Sequence, residues 1–386
     1  MTRIRTVLLF FLAIFQINTV FAQNNQISAD PSLSDSVIRQ RANTGTVTLI
    51  TGGIDGIATT YEQLASDMAT IFDVRGKLRV LPVVGYGSLQ NVEDLLYLRG
   101  VDIGMVHSDV LRHLEQKNIL RSAQRKLRYI IKLYDEPLHL LVNSSITDIQ
   151  QLSGQTVIIG RPGSGNEMSA LTLIGELGIS PNVVHVEFEE GVEQVRSGQA
   201  AAMFVVTRHP STKLREVTND GKLKLLPIQV TERLGKTYGS LDLTSQDYPN
   251  FIAPGETIET PHMSAVLAVY DWQPGSPRYE NVLAFISRFG EKVSDLPLAN
   301  RKDIWKNLDP AAPVKGWERY GPANALVEQA IAAQQTPPVL AQEALASDEI
   351  FQQFVEFIRK SDPQRQLDDQ ELKKLYARFQ LWQQAQ

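Results

Sequence analysis

The sequence predicts an α/β fold of two lobes, each a parallel-rich sheet flanked by helices, followed by a helical C-terminal extension. Short β-branched runs alternate with amphipathic segments along most of the chain, and short loops separate them. That alternation is typical of parallel sheets whose faces are covered by helices. The chain has 386 residues, which is more than one hydrophobic core usually holds, so two lobes are expected.

The N-terminus has the pattern of a secretory signal. Arg3 and Arg5 precede an apolar run from Val7 to Phe15, and Ala22 ends a site of short side chains. A membrane span needs about 20 apolar residues, and this run is shorter. We expect cleavage after Ala22, which predicts a periplasmic protein that does not itself span the membrane.

Composition excludes several classes of site. Removing residues 1–22 leaves 36 basic and 43 acidic residues, a formal net charge of −7, which disfavours nucleic-acid binding. With no cysteine and six histidines lacking metal-ligand spacing, neither a disulfide framework nor a metal or cofactor site is expected.

The strands and helices are predicted from periodicity. Lobe 1 is expected to contain helices that begin at Tyr61 and at Ser88, and the strands 46–51, 78–84, 101–106, 127–133 and 138–142. Lobe 2 is expected to contain the strands 156–160, 183–188, 201–206 and 223–228, and 263–269 to return the chain to lobe 1. The predicted division of the chain is a signal peptide 1–22, a leader 23–45 whose polar part 23–36 is expected to be flexible, lobe 1 over 46–140 and 259–320, lobe 2 over 141–258, and the extension 321–386.

A glycine loop follows the second-lobe strand at Thr156. Arg161 to Gly165 reads RPGSG, Asn166 is placed to cap a helix, and Gly178 to end it. Backbone N–H groups of such a loop and the helix N-terminus favour a carboxylate or phosphate. An ordinary tight β-α turn without a ligand fits the same pattern.

Other loops follow strands at the sheet edge where ligands of open α/β sheets bind. Four loops are singled out, namely 52–56, 85–88, 161–165 and 207–210. Arg161 and Arg208 each follow a second-lobe strand, where a guanidinium either clamps a ligand carboxylate or forms a surface or interlobe salt bridge.

Catalytic motifs are not apparent. HExxH and GxSxG are missing, and Gly235-Lys236-Thr237 ends like a P-loop although Val230 replaces its first glycine. Ser108-Asp109 is better explained as a helix cap than as part of a hydrolase triad. No enzymatic activity is expected.

Four segments of the chain stand in the order that one known family shows. They are TGGIDG at Thr51, GSLQNVEDLLYLRGVDIGMVHSDV at Gly87, LYDEPLHLLV at Leu133 and LSGQTVIIGRPGSGNEMSA at Leu152. In these segments the chain resembles the TAXI family, the solute-binding subunits of TRAP transporters. The resemblance implies a periplasmic binding protein of the second topological type that traps a small organic acid. It also implies delivery of that solute to TRAP-type membrane permease subunits.

The resemblance further implies which residues bind the ligand. Carried onto this chain, the family's ligand loops supply Gly53, Ile54, Asp55, Ser88, Asn91, Ser108, Ser164, Gly165, Asn166 and Thr207. Three departures bear on the ligand. Ile57-Ala58-Thr59 stand where tyrosines are usual, and His107 stands where glutamine is usual. The strand before Pro210 begins with Ala201-Ala202 where an aspartate is common, and Thr207-Arg208-His209 stand where glycines are common.

These observations predict an extracytoplasmic receptor for a small organic anion, such as a glutamate-like amino acid, a dicarboxylate or a 2-oxoacid. The alternative is a periplasmic sensory or interaction module that acts through a partner such as a sensor kinase. The altered ligand loops and two amphipathic segments within residues 345–386 motivate that alternative.

Overall fold

A computed structural model of the protein describes residues 34–53, 60–74, 76–298, 302–335 and Val355. The chain divides into two compact units, Met1–Val327 and Glu328–Gln386. The predicted signal peptide, most of the leader and, apart from Val355, the amphipathic segments of the C-terminal extension lie outside the described residues. The predicted site residues Ile54 and Asp55 also lie outside them.

The described strands are β1 Thr46–Gly52, β2 Arg79–Gly85, β3 Ile103–His107, β4 Leu127–Asn143, β5 Thr156–Ile158, β6 Asn182–Val184, β7 Ala202–Val206, β8 Leu223–Leu225, β9 Gly239–Thr244 and β10 Thr257–Tyr270. The described α-helices are α1 Asp35–Asn43, α2 Thr60–Phe72, α3 Ser88–Tyr97, α4 Val110–Lys117, α5 Ala123–Lys126, α6 Gly165–Leu177, α7 Phe188–Ser197, α8 Thr212–Glu216, α9 Pro277–Lys292, α10 Lys302–Lys306 and α11 Asn324–Gln335. Short 3₁₀ turns cover Ile149–Leu152, Leu234–Lys236, Val293–Leu298 and Gly321–Ala323.

The strands form a mixed sheet in the order β2-β1-β3-β10-β4-β7-β5-β6, with β8 beside β4 and β9 beside β10. Strand β1 pairs in parallel with β2 and β3, and β5 pairs in parallel with β6 and β7. Strands β4 and β10 run antiparallel to their neighbours. The predicted two-lobed α/β fold is confirmed.

Strand β4 runs through both lobes, whereas the sequence predicted two separate strands in this range. Its 17 residues are continuous, although two strands were predicted because Asp135, Glu136 and Pro137 interrupt the apolar pattern. Up to Pro137 it pairs with β10 in lobe 1, and from Leu138 onward it pairs with β7 in lobe 2.

Strand β10 makes the same crossing in the reverse direction. Its first residues pair with β9, and the residues from His262 onward pair with β4. Pro261 precedes His262, which faces Pro137 across the ladder. The two lobes are therefore linked by a pair of strands with prolines at the crossing point.

Alternate residues of each strand enter different hydrophobic clusters, as the period of two in a strand requires. In lobe 1, Leu49 packs with Phe72 and Phe285, whereas Ile50 packs with Val92 and Val266. In lobe 2, Leu140 and Phe204 form one cluster, and Leu141 and Met203 form the other. Each lobe thus has its own core on both faces of its sheet.

Helix α1 lies within the segment 23–45 that was predicted as a leader. Helix α3 begins at Ser88, as predicted, with Gly87 at its N-cap position, and it ends at Tyr97.

Candidate functional site

Two predicted lobe 1 site residues are buried and hydrogen-bonded within that lobe. The Ser88 Oγ accepts a hydrogen bond of 2.9 Å from the His107 backbone N–H. Asn91 is fully buried, and its Nδ2 donates to the carbonyls of Thr51 and Met105 at 2.9 and 2.8 Å. Asn91 therefore ties β1 to β3, and its Oδ1 has no partner among the described residues.

Ser108 lies between the last residues of β3 and the beginning of α4. Its Oγ accepts from the Ser264 N–H at 3.0 Å, and its carbonyl accepts from the Trp317 Nε1 at 2.7 Å. Asp109 occupies the N-cap position of α4, as the helix-cap interpretation predicted, but its side chain makes no cap hydrogen bond. Its carboxylate accepts hydrogen bonds from two lobe 2 hydroxyl groups instead.

The hydrogen-bonding groups of the glycine loop in lobe 2 are satisfied largely by the loop itself and by the first turn of α6. Ser164, not Asn166, caps α6, because the Ser164 Oγ accepts from the Glu167 N–H at 3.1 Å. The Gly163 N–H donates to the Glu167 carboxylate at 2.5 Å. Within the described structure, a carboxylate of the protein itself already occupies that part of the predicted anion cradle.

Asn166 fastens β5 to β7. Its Nδ2 donates to the carbonyls of Ile159 and Phe204, and its Oδ1 accepts from the Val206 N–H at 2.6 Å. Like Asn91, this amide holds together the strand ends from which the ligand loops depart.

The two predicted arginine clamps lie in different cavities. Arg161 forms a two-pronged salt bridge with Glu187 and lines a cavity of about 260 Å³, together with Ser164, Asn166 and Thr207. Arg208 lines a separate cavity of about 690 Å³. The structure therefore brings Arg161 together with Thr207, and it does not bring Arg161 together with Arg208.

The larger cavity, which we call the interlobe cavity, is lined by both lobes. Lobe 1 contributes Lys132 to Asp135 of β4 and several residues from 304 to 312. Lobe 2 contributes Arg208, His209, Pro210, Thr212, Arg215 and Leu241. The Arg208 side chain is half-buried and forms no hydrogen bond or ion pair with the described part of the chain. Its charge lies close enough to Tyr134 to oppose the rise of that phenol's pKa.

Sequence reasoning missed a buried hydrogen-bonded network between the lobes, which we call the His107 network. The His107 Nε2 lies 3.1 Å from Glu136 Oε2, which also accepts from the Tyr61 hydroxyl at 2.9 Å. On the other side of the ring, His107 Nδ1 lies 3.0 Å from Ser169 Oγ of lobe 2. The Tyr134 hydroxyl also donates to Glu136, so the network reaches the wall of the interlobe cavity.

Asp109 is the second carboxylate of the His107 network. It accepts from the hydroxyls of Ser169 and Tyr238, both at 3.1 Å and both from lobe 2. Burial raises the pKa of Asp109, against the lowering effects of His107 and the two hydroxyls. The only sequence signals for this network were acidic residues within an apolar strand and the histidine at position 107.

Proton positions in the network follow from its donors. The Ser169 hydroxyl donates to Asp109, so it accepts from His107, whose Nδ1 must carry hydrogen. At pH values below the raised pKa of His107 the ring also carries a hydrogen on Nε2, which then donates to Glu136 Oε2, and the ring is an imidazolium. Burial acts to lower the pKa of His107, but the charges of Glu136 and Asp109 and hydrogen bonds to Glu136 and Gly165 raise it overall.

Helices α4 and α6 pack across the lobe boundary through polar side chains. The His113 Nδ1 lies 2.9 Å from Thr172 Oγ1, and Arg112 and Gln116 both donate to Glu176. Met168 of α6 lies in the lobe 1 hydrophobic cluster. Helix α6 of lobe 2 therefore packs directly against lobe 1, and the two lobes are closed on each other along this helix.

A close backbone approach accompanies this closure. A Cβ placed on Gly87 of lobe 1 would lie 2.6 Å from the Gly163 carbonyl oxygen of lobe 2. The backbone of Gly87 is extended, so glycine is needed there for space rather than for conformation. The glycine loop of lobe 2 thus meets lobe 1 directly.

Membrane-spanning helices and metal clusters were also sought within the described ranges. No helix there is long and apolar enough to cross a membrane. The same residues contain no group of three or more His, Cys, Asp or Glu side chains that could hold a metal ion.

Several solved structures resemble this one. The ligand-binding core of GluR0 from Nostoc punctiforme, in complex with L-glutamate, is 15% identical and has a TM-score of 0.38, over 65% of this chain and 97% of that chain. XAC2383 from Xanthomonas citri, bound to chloride ion, is 15% identical with a TM-score of 0.44, over 76% of this chain and 98% of that chain. The BvgS periplasmic VFT2 domain from Bordetella pertussis is 13% identical with a TM-score of 0.37, over 71% of this chain and 96% of that chain.

Family membership rests on the sequence match. The family model for the NMT1-like family matches residues 52–261. The matched range runs from the last residue of β1 into β10, and it includes the predicted ligand residues that the structure describes as well as the members of the His107 network. Because it covers more than half of the chain, this protein belongs to the NMT1-like family.

Proposed function

We propose that the protein is an extracytoplasmic solute receptor of the TAXI type. In the periplasm it captures a small organic anion between its lobes and does not transform it chemically. It then delivers the anion to TRAP-type membrane permease subunits. The observation that carries the proposal is the interlobe cavity, in which the Arg208 guanidinium has no ion-pair partner among the described residues.

The size of the interlobe cavity supports a small ligand. Its volume of about 690 Å³ lies within the range of roughly 300–1,000 Å³ that is usual for small-molecule sites. Because both lobes line it, a bound molecule would contact both, as expected of a receptor that closes around its solute.

The charges in the interlobe cavity support an anion. Lys132 and Asp135 form a salt bridge of 2.6 Å and neutralise each other. The remaining formally charged lining residues are Arg208, Arg215 and Asp309, which leaves one positive charge in excess. A guanidinium binds a carboxylate through two parallel hydrogen bonds, so a carboxylate-bearing solute suits this cavity.

Calorimetry tests the binding proposal. The mature protein, unfolded and refolded to remove any bound solute, would be titrated with amino acids, dicarboxylates and 2-oxoacids. Arg208→Ala should weaken the acidic ligand by about tenfold to a hundredfold, since hydrogen bonds to charged groups contribute roughly 1.5–3 kcal/mol each. Arg208→Lys should recover only part of that loss, because lysine keeps the charge but lacks the planar fork.

Arg161→Ala is the matched control. It removes the same side chain from the same lobe, but from the smaller cavity and from a pair with Glu187. It should change the affinity by less than about twofold. Absence of binding to any organic acid, or an unchanged affinity in Arg208→Ala, would refute the proposed clamp.

Delivery to a permease is tested separately. A transport receptor is expected to be encoded beside a large multi-span permease, whereas a sensory module is expected beside a histidine kinase. Solute uptake that requires both the receptor and the permease would support delivery. Binding without such uptake would leave the receptor proposal standing and remove the transport role.

A further inference from the structure

A second cavity lies between the lobes, at the opposite end of the His107 network from Tyr134. Its volume is about 490 Å³. Ser108 and Arg112 of lobe 1 line it, and Glu176, Arg233 and Thr237 of lobe 2 complete its wall. Thr237 precedes Tyr238, the last member of the His107 network. We call it the basic cavity, for the charges described next.

Four cations and two carboxylates line the basic cavity. The cations are Arg112, Arg233, Lys236 and Lys315, and the carboxylates are Glu115 and Glu176. Two positive charges are therefore in excess.

The carboxylates of the basic cavity are already engaged. The buried Glu176 accepts from the Nε groups of both Arg112 and Arg233. Glu115 pairs with Arg112 at 2.6 Å. Within the described structure the two terminal amino groups of the Arg233 guanidinium form no hydrogen bond, so they remain available to a ligand.

The two lysines keep their charge unneutralised. Lys315 donates to the carbonyls of Gly235 and Tyr238 at 2.9 and 2.7 Å, and these acceptors carry no formal charge. An ammonium has three N–H donors, so one remains. The Lys236 side chain makes no hydrogen bond or ion pair with the part of the chain described here.

We propose that the basic cavity is a second binding site, for a phosphate group, either free phosphate or that of a small metabolite. A dianion matches the two excess positive charges, and guanidinium and ammonium groups are the usual side-chain partners of phosphate. Its binding residues would be Arg233, Lys236 and Lys315, with the Thr237 hydroxyl as a further donor. Because Lys315 belongs to lobe 1 and the others to lobe 2, a bound phosphate would bridge the lobes.

Calorimetry and thermal melting with inorganic phosphate test this site. The titrations would be run at constant ionic strength, with chloride replaced by phosphate, on the complete mature protein. We expect saturable binding that the double variant Arg233→Gln/Lys236→Gln weakens at least tenfold. Lys236→Glu alone alters a single exposed side chain and should weaken phosphate binding at least as strongly.

The matched control is Arg99→Gln/Lys222→Gln. It removes one arginine and one lysine that are exposed and lie outside the basic cavity. Phosphate affinity in this control and in Arg208→Ala should equal that of the wild-type protein. The proposal is overturned if phosphate shows no saturable binding, if the control loses affinity equally, or if Arg208→Ala abolishes binding, which would place phosphate in the interlobe cavity.

Discussion

Replacing His107 by glutamine should destabilise the protein and remove part of its pH dependence. The imidazolium lies between the Glu136 and Asp109 carboxylates, with its two ring nitrogens 3.1 Å from Glu136 and 3.0 Å from Ser169. Glutamine can supply a hydrogen bond but no positive charge. Both carboxylates would then be buried without a cation.

The expected magnitude follows from the burial of this group. His107 has an exposed fraction of 7%, and Glu136 of 6%. Removing one partner of a buried ion pair costs roughly 3–5 kcal/mol. Since glutamine retains part of the hydrogen bonding, we expect a loss of about 3 kcal/mol in the free energy of unfolding at pH 6.

The sign of the pH dependence follows from the raised pKa of His107 in the folded protein. The stabilising contribution is fully present below the pKa of the unfolded state, about 6.5. It is lost as the pH rises from there through the folded-state pKa, at up to about 1.4 kcal/mol per pH unit.

Urea unfolding followed by tryptophan fluorescence between pH 6 and pH 9 would measure both effects. The difference in unfolding free energy between wild type and His107→Gln should be largest at pH 6 and should shrink with rising pH. His185→Gln is the control, because His185 pairs with Glu167 at a side-chain exposure of 36%. A His107→Gln variant that keeps the wild-type stability and pH slope would refute the assigned protonation of the network.

Two further predictions concern lobe closure and acid stability. Gly87→Ala should weaken binding of the organic acid by tenfold or more in calorimetry, because its Cβ would overlap the Gly163 carbonyl and hold the lobes apart. Gly321→Ala controls for the loss of a glycine, because its added Cβ meets no atom within 4 Å, and equal affinities of Gly87→Ala and the wild-type protein would count against closure at this contact. His139 is buried, and desolvation lowers its pKa to about 4 in the folded protein, whereas the unfolded chain has a pKa of about 6.5. The unfolded state therefore takes up a proton first as the pH falls, and the folded protein loses stability between about pH 6.5 and pH 4. The loss should reach about 3 kcal/mol in urea unfolding, and His139→Gln should show a shallower decline over that interval, whereas an identical decline would exclude this residue as its source.

Sequence periodicity predicted most strands and helices because the burial of each follows from its own residues. It failed at β4, where Asp135 and Glu136 interrupt the apolar pattern. Lys132 and His262 pair with Asp135, and Tyr61 and His107 bind Glu136, so both acids are accommodated within one strand. Those partners come from distant parts of the chain, and local pattern could not reveal them.

The candidate site was predictable only in outline. The glycine loop at Gly163 and the amides of Asn91 and Asn166 lie at strand ends, as expected, yet much of their hydrogen bonding is internal. Whether an amide faces a ligand or a neighbouring strand depends on side-chain directions that spacing does not encode. The contact of His107 with Ser169 depends in addition on how the two lobes meet.

The paired prolines at the lobe crossing have a mechanical consequence. Neither Pro137 nor Pro261 carries a backbone N–H, so neither can donate a hydrogen bond to the sheet where β4 and β10 pass between the lobes. Bending at this point breaks fewer hydrogen bonds than bending elsewhere along the two strands. We therefore expect the sheet to bend as a hinge at Pro137 and Pro261. The lobes could rotate about this hinge while the hydrophobic core of each lobe stays intact.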